Sequence, residues 1–249
     1  LAQQGGPAFD DSSSSGYGGG RVTICYQDST RNVNAQQAAR LFTLGATAGP
    51  CAAPGTLVIT KTAVGGNDTF RFWSHNGNLA DFRITTALGT GTITLSLAKG
   101  TYDINEYAKQ GWRQVANSCA SVVIASGATT TCTIANEAAL GSISGTKFAD
   151  RNGRGRGFRS LFNRKAGVTI YLDSNNNNTL DSGEQSQVTN FLGNYRFSNL
   201  PPNVTYHVRE VIPTGYTQVF PPTGVYNETI TPGENANNDD FANFQQGRG

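Results

Sequence analysis

Short runs in which hydrophobic and polar residues alternate recur along the whole chain. Representative runs are RVTICY (21–26), TLVITKT (56–62), GTITLSL (91–97), GTYDINE (100–106) and CTIANE (132–137). In an extended strand every second side chain points to the same face, so each run offers one apolar face and one polar face. Turn residues such as Gly, Asn, Asp and Ser separate the runs. The pattern predicts an all-β chain of many short strands.

A helical pattern follows the first strand in NAQQAARLF (34–42), and Asn34 is a suitable N-cap for it. Cys25 and Cys51 flank this region, and a disulfide between them is predicted to staple a small module of residues 21–54. Residues 1–20 are rich in Gly and Ser and are predicted to form a flexible arm that adds a strand to the sheet edge of a neighbouring subunit. Residues 246–249 form a tail.

Two later segments repeat each other, GTYDINEYAKQGWRQV (100–115) and VTYHVREVIPTGYTQV (204–219). The matched pairs are Tyr102 with Tyr206, Ile104 with Val208, Glu106 with Glu210, Gly111 with Gly215, Trp112 with Tyr216 and Gln114 with Gln218. The two copies also end alike, in TIANE (133–137) and DFANF (240–244). The repeat predicts two tandem β-sandwich domains, residues 55–138 and 139–245.

The cysteines indicate an oxidising compartment. There are four, an even number, and Cys119 and Cys132 form a second local pair around ASVVIASGATTT (120–131). This segment predicts a hairpin that places the two sulfurs opposite each other for a disulfide. The chain contains no Met, even at position 1, so removal of a secretory signal peptide and an extracellular or cell-surface location are expected.

Composition argues against several classes of function. Among 249 residues, 14% are charged and the net charge is +2, so no nucleic-acid partner is implied. No run of 18 apolar residues offers a membrane span. Neither a zinc-protease motif, a GxSxG elbow, a Walker loop nor a dinucleotide fingerprint occurs. The chain is therefore predicted not to be an enzyme.

Several motifs resemble the B-type repeats of bacterial surface adhesins and pilins. They include GSISGTKFADRNG (141–153), AGVTIYLDSNNNNTLDSGE (166–184) and GNYRFSNLPP (193–202). The first copy resembles the Cna-B-like type and the second the SdrD B-like type. The resemblance implies transthyretin-like (prealbumin-like) β-sandwiches that serve as stalk or fibre units outside the cell, without catalysis.

The acidic loop that begins at residue 173 has the spacing of an EF-hand-type calcium loop. Oxygen ligands are expected at its positions 1, 3, 5, 7, 9 and 12, which are Asp173, Asn175, Asn177, Thr179, Asp181 and Glu184. Asn178 replaces the usual Gly at position 6, and Asn tolerates positive φ better than other non-Gly residues. The pattern predicts a structural calcium ion bound at about 10⁻⁵ to 10⁻³ M. The alternative is a solvated Asn-rich turn.

Three strands of the first copy each end an apolar row with a polar residue, namely Lys61, Glu106 and Asn136. In Cna-B-like domains the matching residues form a Lys–Asn isopeptide bond, and the resemblance implies that role here. The alternative is a buried ion pair with a hydrogen-bonded Asn. The second copy retains Glu210 and Asn243, but Lys147 lies two residues late in the alignment, so a second bond is not expected there.

Together these features predict a secreted structural protein, a subunit of an extracellular bacterial surface fibre, pilus or matrix. Calcium and covalent cross-links would stabilise it, and its partners would be copies of itself or other cell-surface components. The alternative is an adhesin module that binds a host or environmental glycan or protein.

Overall fold

The computed structural model describes residues 20–75 and 79–247. The predicted arm lies outside these residues except for Gly20, as do the last two residues of the tail. The described residues fall into two compact units, which divide between Pro54 and Gly55. The regular structure of the described residues is almost entirely β, which confirms the predicted fold class. Within those same residues, no helix is long and apolar enough to cross a membrane.

The first unit is a three-stranded sheet with one helix. Its elements are β1 (Arg21–Tyr26), β2 (Ser29–Asn34), α1 (Ala35–Thr43) and β3 (Thr47–Ala48), and the strand order is β2-β1-β3. Asn34 caps the helix as predicted, because its Oδ1 accepts a hydrogen bond from the backbone N–H of Gln37 at 2.9 Å. Cys25 and Cys51 form a disulfide next to the fully buried Ile24. This small unit therefore combines two buried side chains, Ile24 and Ala38, with a disulfide bond.

Residues 55–138 form a sandwich of short strands around one apolar core. The strands are β4 (Gly55–Val64), β5 (Thr69–Ser74), β6 (Phe82–Thr85), β7 (Thr90–Leu97), β8 (Gly100–Tyr102), β9 (Ile104–Glu106), β10 (Trp112–Asn117), β11 (Val122–Ile124) and β12 (Thr129–Ala138). They make the sheets β10-β12-β4-β7, β6-β5-β9 and β11-β8. The two central strands β4 and β12 run parallel, and the core contains Leu57, Ile59, Phe70, Phe72 and Ile134. The first and last strands of this copy are therefore parallel neighbours in one sheet.

Residues 139–245 repeat that plan. The elements are β13 (Gly141–Ala149), a 3-10 helix (Leu161–Asn163), β14 (Thr169–Leu172), β15 (Ser186–Val188), β16 (Asn194–Leu200), β17 (Thr205–Glu210), β18 (Tyr216–Phe220), β19 (Tyr226–Thr229), β20 (Asn235–Ala236) and β21 (Phe241–Gln245). The sheets are β16-β13-β21-β18, with β20 paired to β13, and β15-β14-β17-β19. Here too the first strand, β13, runs parallel to the last, β21. The core again separates the two sheets.

The predicted hairpin between Cys119 and Cys132 is wrong, although the disulfide itself is present. β11 pairs with β8, whereas β12 pairs with β4 and β10. Val122 and Ile124 are both buried, so β11 contributes its own apolar row to the core, and its backbone ladder is with β8 and not with β12. The disulfide consequently ties the segment before β11 to a central strand of the larger sheet.

Candidate functional site

Parallel pairing of β4 and β12 brings the first predicted set of polar residues together. Lys61 on β4 lies opposite Ile134 on β12, and Asn136 follows Ile134 by two residues on β12. Because side chains two apart share a face, Lys61 and Asn136 both point into the core. Glu106 ends β9 in the facing sheet. Three strands thus deliver one amine, one carboxyl group and one amide to the same apolar interior.

The carboxyl group of Glu106 lies between the other two side chains. Its Oε2 is 3.5 Å from Nζ of Lys61, and its Oε1 accepts a hydrogen bond from Nδ2 of Asn136 at 2.5 Å. The side chains of Lys61 and Glu106 are 0% and 3% exposed. Nζ of Lys61 also lies 4.2 Å from the centroid of the Phe70 ring. Water is excluded from all three groups, so each acts directly on its neighbours.

Burial disfavours charge on both ionisable members. Desolvation lowers the pKa of Lys61, against the opposing attraction of Glu106. Desolvation also raises the pKa of Glu106, against hydrogen bonds from Asn136 and Lys61. Both shifts favour a neutral amine beside a protonated carboxyl group. These are the protonation states needed for an amine that attacks an amide with the help of a proton shuttle.

The second copy contains an equivalent set that the sequence alignment missed. Nζ of Lys147 lies 2.8 Å from Oε2 of Glu210, and Nδ2 of Asn243 donates to the same oxygen at 3.2 Å. Lys147 lies opposite Phe241, which is two residues before Asn243 on β21. In the first copy Lys61 likewise lies opposite Ile134, which is two residues before Asn136 on β12. The structure therefore corrects the expectation that Lys147 is misplaced.

The Lys147 set is buried as deeply as the Lys61 set. The side chains of Lys147 and Glu210 are 1% and 0% exposed. Desolvation lowers the pKa of Lys147 to about 8, against the attraction of Glu210. Desolvation likewise raises the pKa of Glu210. The two copies thus present the same chemistry, and we refer below to the first triad (Lys61, Glu106, Asn136) and the second triad (Lys147, Glu210, Asn243).

The acidic loop joins β14 to β15 and is organised around its first residue. Oδ1 of Asp173 accepts the backbone N–H of Asn177 at 3.0 Å, and Oδ2 accepts that of Asn178 at 2.8 Å. Oδ2 also lies 2.8 Å from Nε of Arg209. Burial alone raises the pKa of Asp173, but these hydrogen bonds and the guanidinium outweigh it and hold the pKa below its usual range. Asn178 has φ +66°, the backbone conformation expected at position 6.

The remaining predicted ligands form a hydrogen-bonded ring. Nδ2 of Asn175 and Nδ2 of Asn177 donate to Oδ2 of Asp181 at 2.8 and 2.7 Å. Glu184 accepts the backbone N–H of Asp181 through Oε2 at 3.0 Å, and the N–H of Thr179 donates to Oδ1 of Asn177 at 2.8 Å. Among the described residues, no three His, Cys, Asp or Glu side chains are arranged as a metal site.

The donor set of this loop nevertheless fits calcium. A half-turn of each Asn amide exchanges its nitrogen for its oxygen with little change of shape. It would direct the oxygens of Asn175 and Asn177 towards the position where both amides now meet Asp181. Carboxylate and amide oxygens at that point form the hard oxygen environment that Ca²⁺ prefers.

No family model matches the chain, and a search of curated proteins found no match. Among solved structures, the chain is similar to the Bacillus anthracis TIE protein, at 19% identity and a TM-score of 0.45, over 78% of this chain and 34% of that one. It is also similar to the major pilin of Streptococcus pyogenes, at 15% identity and a TM-score of 0.32, over 77% and 99% of the two chains. A third similar structure is the Streptococcus agalactiae minor pilin GBS52, at 16% identity and a TM-score of 0.30, over 77% of this chain and 96% of that one.

Proposed function

We propose that this chain is a structural subunit of an extracellular surface fibre, pilus or matrix, in which each sandwich is locked by an internal Lys–Asn amide bond. The observation that carries the proposal is the same buried triad in both copies. An ion pair without exposure to water contributes little net stability, because desolvation offsets most of the attraction. A reaction that consumes both the buried amine and the amide removes this penalty.

The reaction balances within the triad. The neutral Nζ of Lys61 attacks Cγ of Asn136, so the Nζ–Cγ bond forms and the Cγ–Nδ2 bond breaks. Protonated Glu106 delivers its proton to Nδ2, which leaves as ammonia, and the resulting carboxylate takes a proton from Nζ. Lys147, Glu210 and Asn243 have the same roles in the second copy. No oxidant, metal or cofactor takes part in this step.

The location of the bonds suits a chain that bears tension. Each bond joins the first strand of its sandwich to the last, β4 to β12 and β13 to β21. These strands are parallel neighbours, so a pull on both ends of a sandwich shears them directly. A covalent link between them keeps the fold closed under that load, as a fibre subunit requires.

Intact-mass spectrometry of the purified full chain, after reduction, tests this proposal. We expect a mass below that calculated from the sequence by two molecules of ammonia, one for each triad. Peptide mapping should then find Lys61 joined to Asn136 and Lys147 joined to Asn243. Negative-stain electron microscopy of the same preparation should show filaments. A mass that equals the calculated one would disprove the covalent part, and dispersed monomers at high concentration would disprove the fibre part.

We further propose that calcium stiffens the acidic loop. Addition of Ca²⁺ at about 100 times its Kd is expected to raise the free energy of unfolding by about 2.7 kcal/mol, and a chelator should remove the gain. Calorimetric titration measures the Kd for Ca²⁺, and thermal unfolding measures the gain in stability. Asp181→Asn should lose most of the response, because it removes a carboxylate at the centre of the ring.

The matched control for that experiment is Asp28→Asn, which makes the same change in an exposed turn of the other unit. It should respond to calcium as the unaltered chain does. An equal calcium response in both variants would show that the ion binds elsewhere, and no response in any of the three proteins would leave the loop as a solvated turn.

A further inference from the structure

The outer face of the sheet β6-β5-β9 carries an unusual arrangement of cations. Arg71 on β5 and Arg83 on β6 are direct partners across the two strands. Like charges in this position destabilise a sheet. Both residues are exposed, so neither is held there by the core. An anion bound between the two guanidinium groups would offset this repulsion.

A third cation joins this pair at one open cleft. Lys109, from the segment after β9, lines a cleft of about 390 Å³ together with Arg71, Arg83 and Tyr107. Three separate segments of the chain therefore supply its positive charges. Such convergence of cationic groups on a concave surface is typical of a site for an anionic ligand.

Two of the three cations have carboxylate partners. Arg71 lies 2.6 Å from Oδ2 of Asp81, and Nζ of Lys109 lies 2.9 Å from Oδ1 of Asp68. Arg83 has neither an ion pair nor a hydrogen bond to any residue in 20–75 or 79–247. Within the described residues, Arg83 is therefore the cation of this cleft whose guanidinium N–H donors have no acceptor.

Tyr107 gives the cleft an aromatic surface. Its side chain is held from two sides, because Cζ of Arg71 lies 4.7 Å from the ring centroid and the Tyr107 hydroxyl donates to Oδ2 of Asp81 at 3.1 Å. Tyr107 is nevertheless 42% exposed. A fixed, exposed ring beside a charged hydrogen-bonding group packs well against the C–H face of a sugar.

We propose that this cleft, lined by Arg71, Arg83, Tyr107 and Lys109, binds an acidic carbohydrate. The carboxylate or sulfate group of the sugar accepts hydrogen bonds from Arg83, its ring packs on Tyr107, and Asp81 accepts a hydroxyl. Asp81 and Asp68 already neutralise Arg71 and Lys109, so the cleft has little net positive charge for a phosphate backbone, and contacts with the ring and hydroxyl groups of a sugar supply the rest of the binding. The site stands independently of the cross-links and would attach a fibre subunit to an anionic polysaccharide.

The test is calorimetric titration of the full chain with alginate, a polyuronate, with dextran sulfate, a sulfated polysaccharide, and with neutral dextran. We expect at least one of the two anionic polymers to bind and neutral dextran to fail. Arg83→Gln should weaken binding about tenfold, the effect of losing a charge-assisted hydrogen bond. Tyr107→Leu should also weaken it. Which anionic polymer binds more tightly identifies the acidic group.

The control is Arg113→Gln, which removes the same charge from an exposed strand position in another sheet. It should bind as the unaltered chain does, and the thermal unfolding midpoints of all variants should agree. The proposal is overturned if neither anionic polymer binds, or if Arg113→Gln weakens binding as much as Arg83→Gln. It is also overturned if single-stranded DNA binds as tightly as the better polysaccharide.

Discussion

Glu106→Gln is expected to leave Lys61 and Asn136 unlinked and to lower the unfolding midpoint of the sandwich that contains them by roughly 20–30 °C. Gln retains the size and hydrogen-bonding groups of Glu but does not carry a proton from Nζ to Nδ2. The proposed bond would close a loop of about 75 residues, for which the chain-entropy relation gives about 4 to 5 kcal/mol. Differential scanning calorimetry measures the midpoint, and the intact mass should rise by one molecule of ammonia apart from the substitution itself.

Glu137→Gln provides a matched comparison for that variant. Glu137 follows Asn136 directly on β12 but points outward, with a side chain that is 48% exposed and paired with Arg113. Its substitution removes one surface ion pair, worth at most about 1 kcal/mol, and should leave the cross-link intact. If Glu106→Gln and Glu137→Gln have the same unfolding midpoint and the same loss of mass relative to their sequences, Glu106 is not the proton carrier.

The first triad could be predicted from local patterns alone. Alternation in TLVITKT, GTYDINE and CTIANE places Lys61, Glu106 and Asn136 on the same face as the apolar residues before them. In the structure Leu57, Ile59, Ile104 and Ile134 of these rows are buried, Tyr102 is half-buried, and the three polar ends lie together. Alternation is a property of each strand by itself, so it remains visible in the sequence without knowledge of the sheet order.

The second triad was missed for a physical reason. A linear alignment of the two copies assumes that the strands keep their spacing, whereas the loops between them differ in length. The position of Lys147 relative to Asn243 depends on the parallel register of β13 and β21, in which Lys147 lies opposite Phe241. Register between strands that are distant in sequence is set by core packing. The signal that was available is the alternation in GSISGTKF (141–148), which places Lys147 on the same face as Ile143.

The cleft on the first sandwich was invisible in the sequence for the same reason. Arg71, Arg83 and Lys109 are ordinary exposed cations when the sequence is read along the chain. Only the pairing of β5 with β6, and the return of the chain after β9, bring them to one surface. The acidic loop is the opposite case, since its predicted ligands are neighbours in sequence and Asp173 organises them locally.

Asn243→Ala is expected to keep Lys147 as a free buried amine and to make stability increase with pH between about 8 and 10. Burial holds the pKa of Lys147 at about 8 in the folded chain, below the value of 10.5 of the exposed amine. Between these values the unfolded chain binds more protons than the folded one, so the free energy of unfolding rises with pH. This contribution is complete above pH 10.5 and is lost as pH falls through 8.

The slope from this one group is at most about 1.4 kcal/mol per pH unit, and denaturant titrations at a series of pH values measure it. Above pH 10 the buried tyrosines act in the opposite direction, because burial raises the pKa of Tyr226 and Tyr195. The double variant Lys147→Met with Asn243→Ala keeps those tyrosines and should lose the slope between pH 8 and 10. In the unaltered chain the proposed cross-link converts the amine of Lys147 into an amide, so the slope should be absent there as well. A slope in the unaltered chain equal to that of Asn243→Ala would mean that Lys147 still titrates, and the second triad would then be an ion pair without a cross-link.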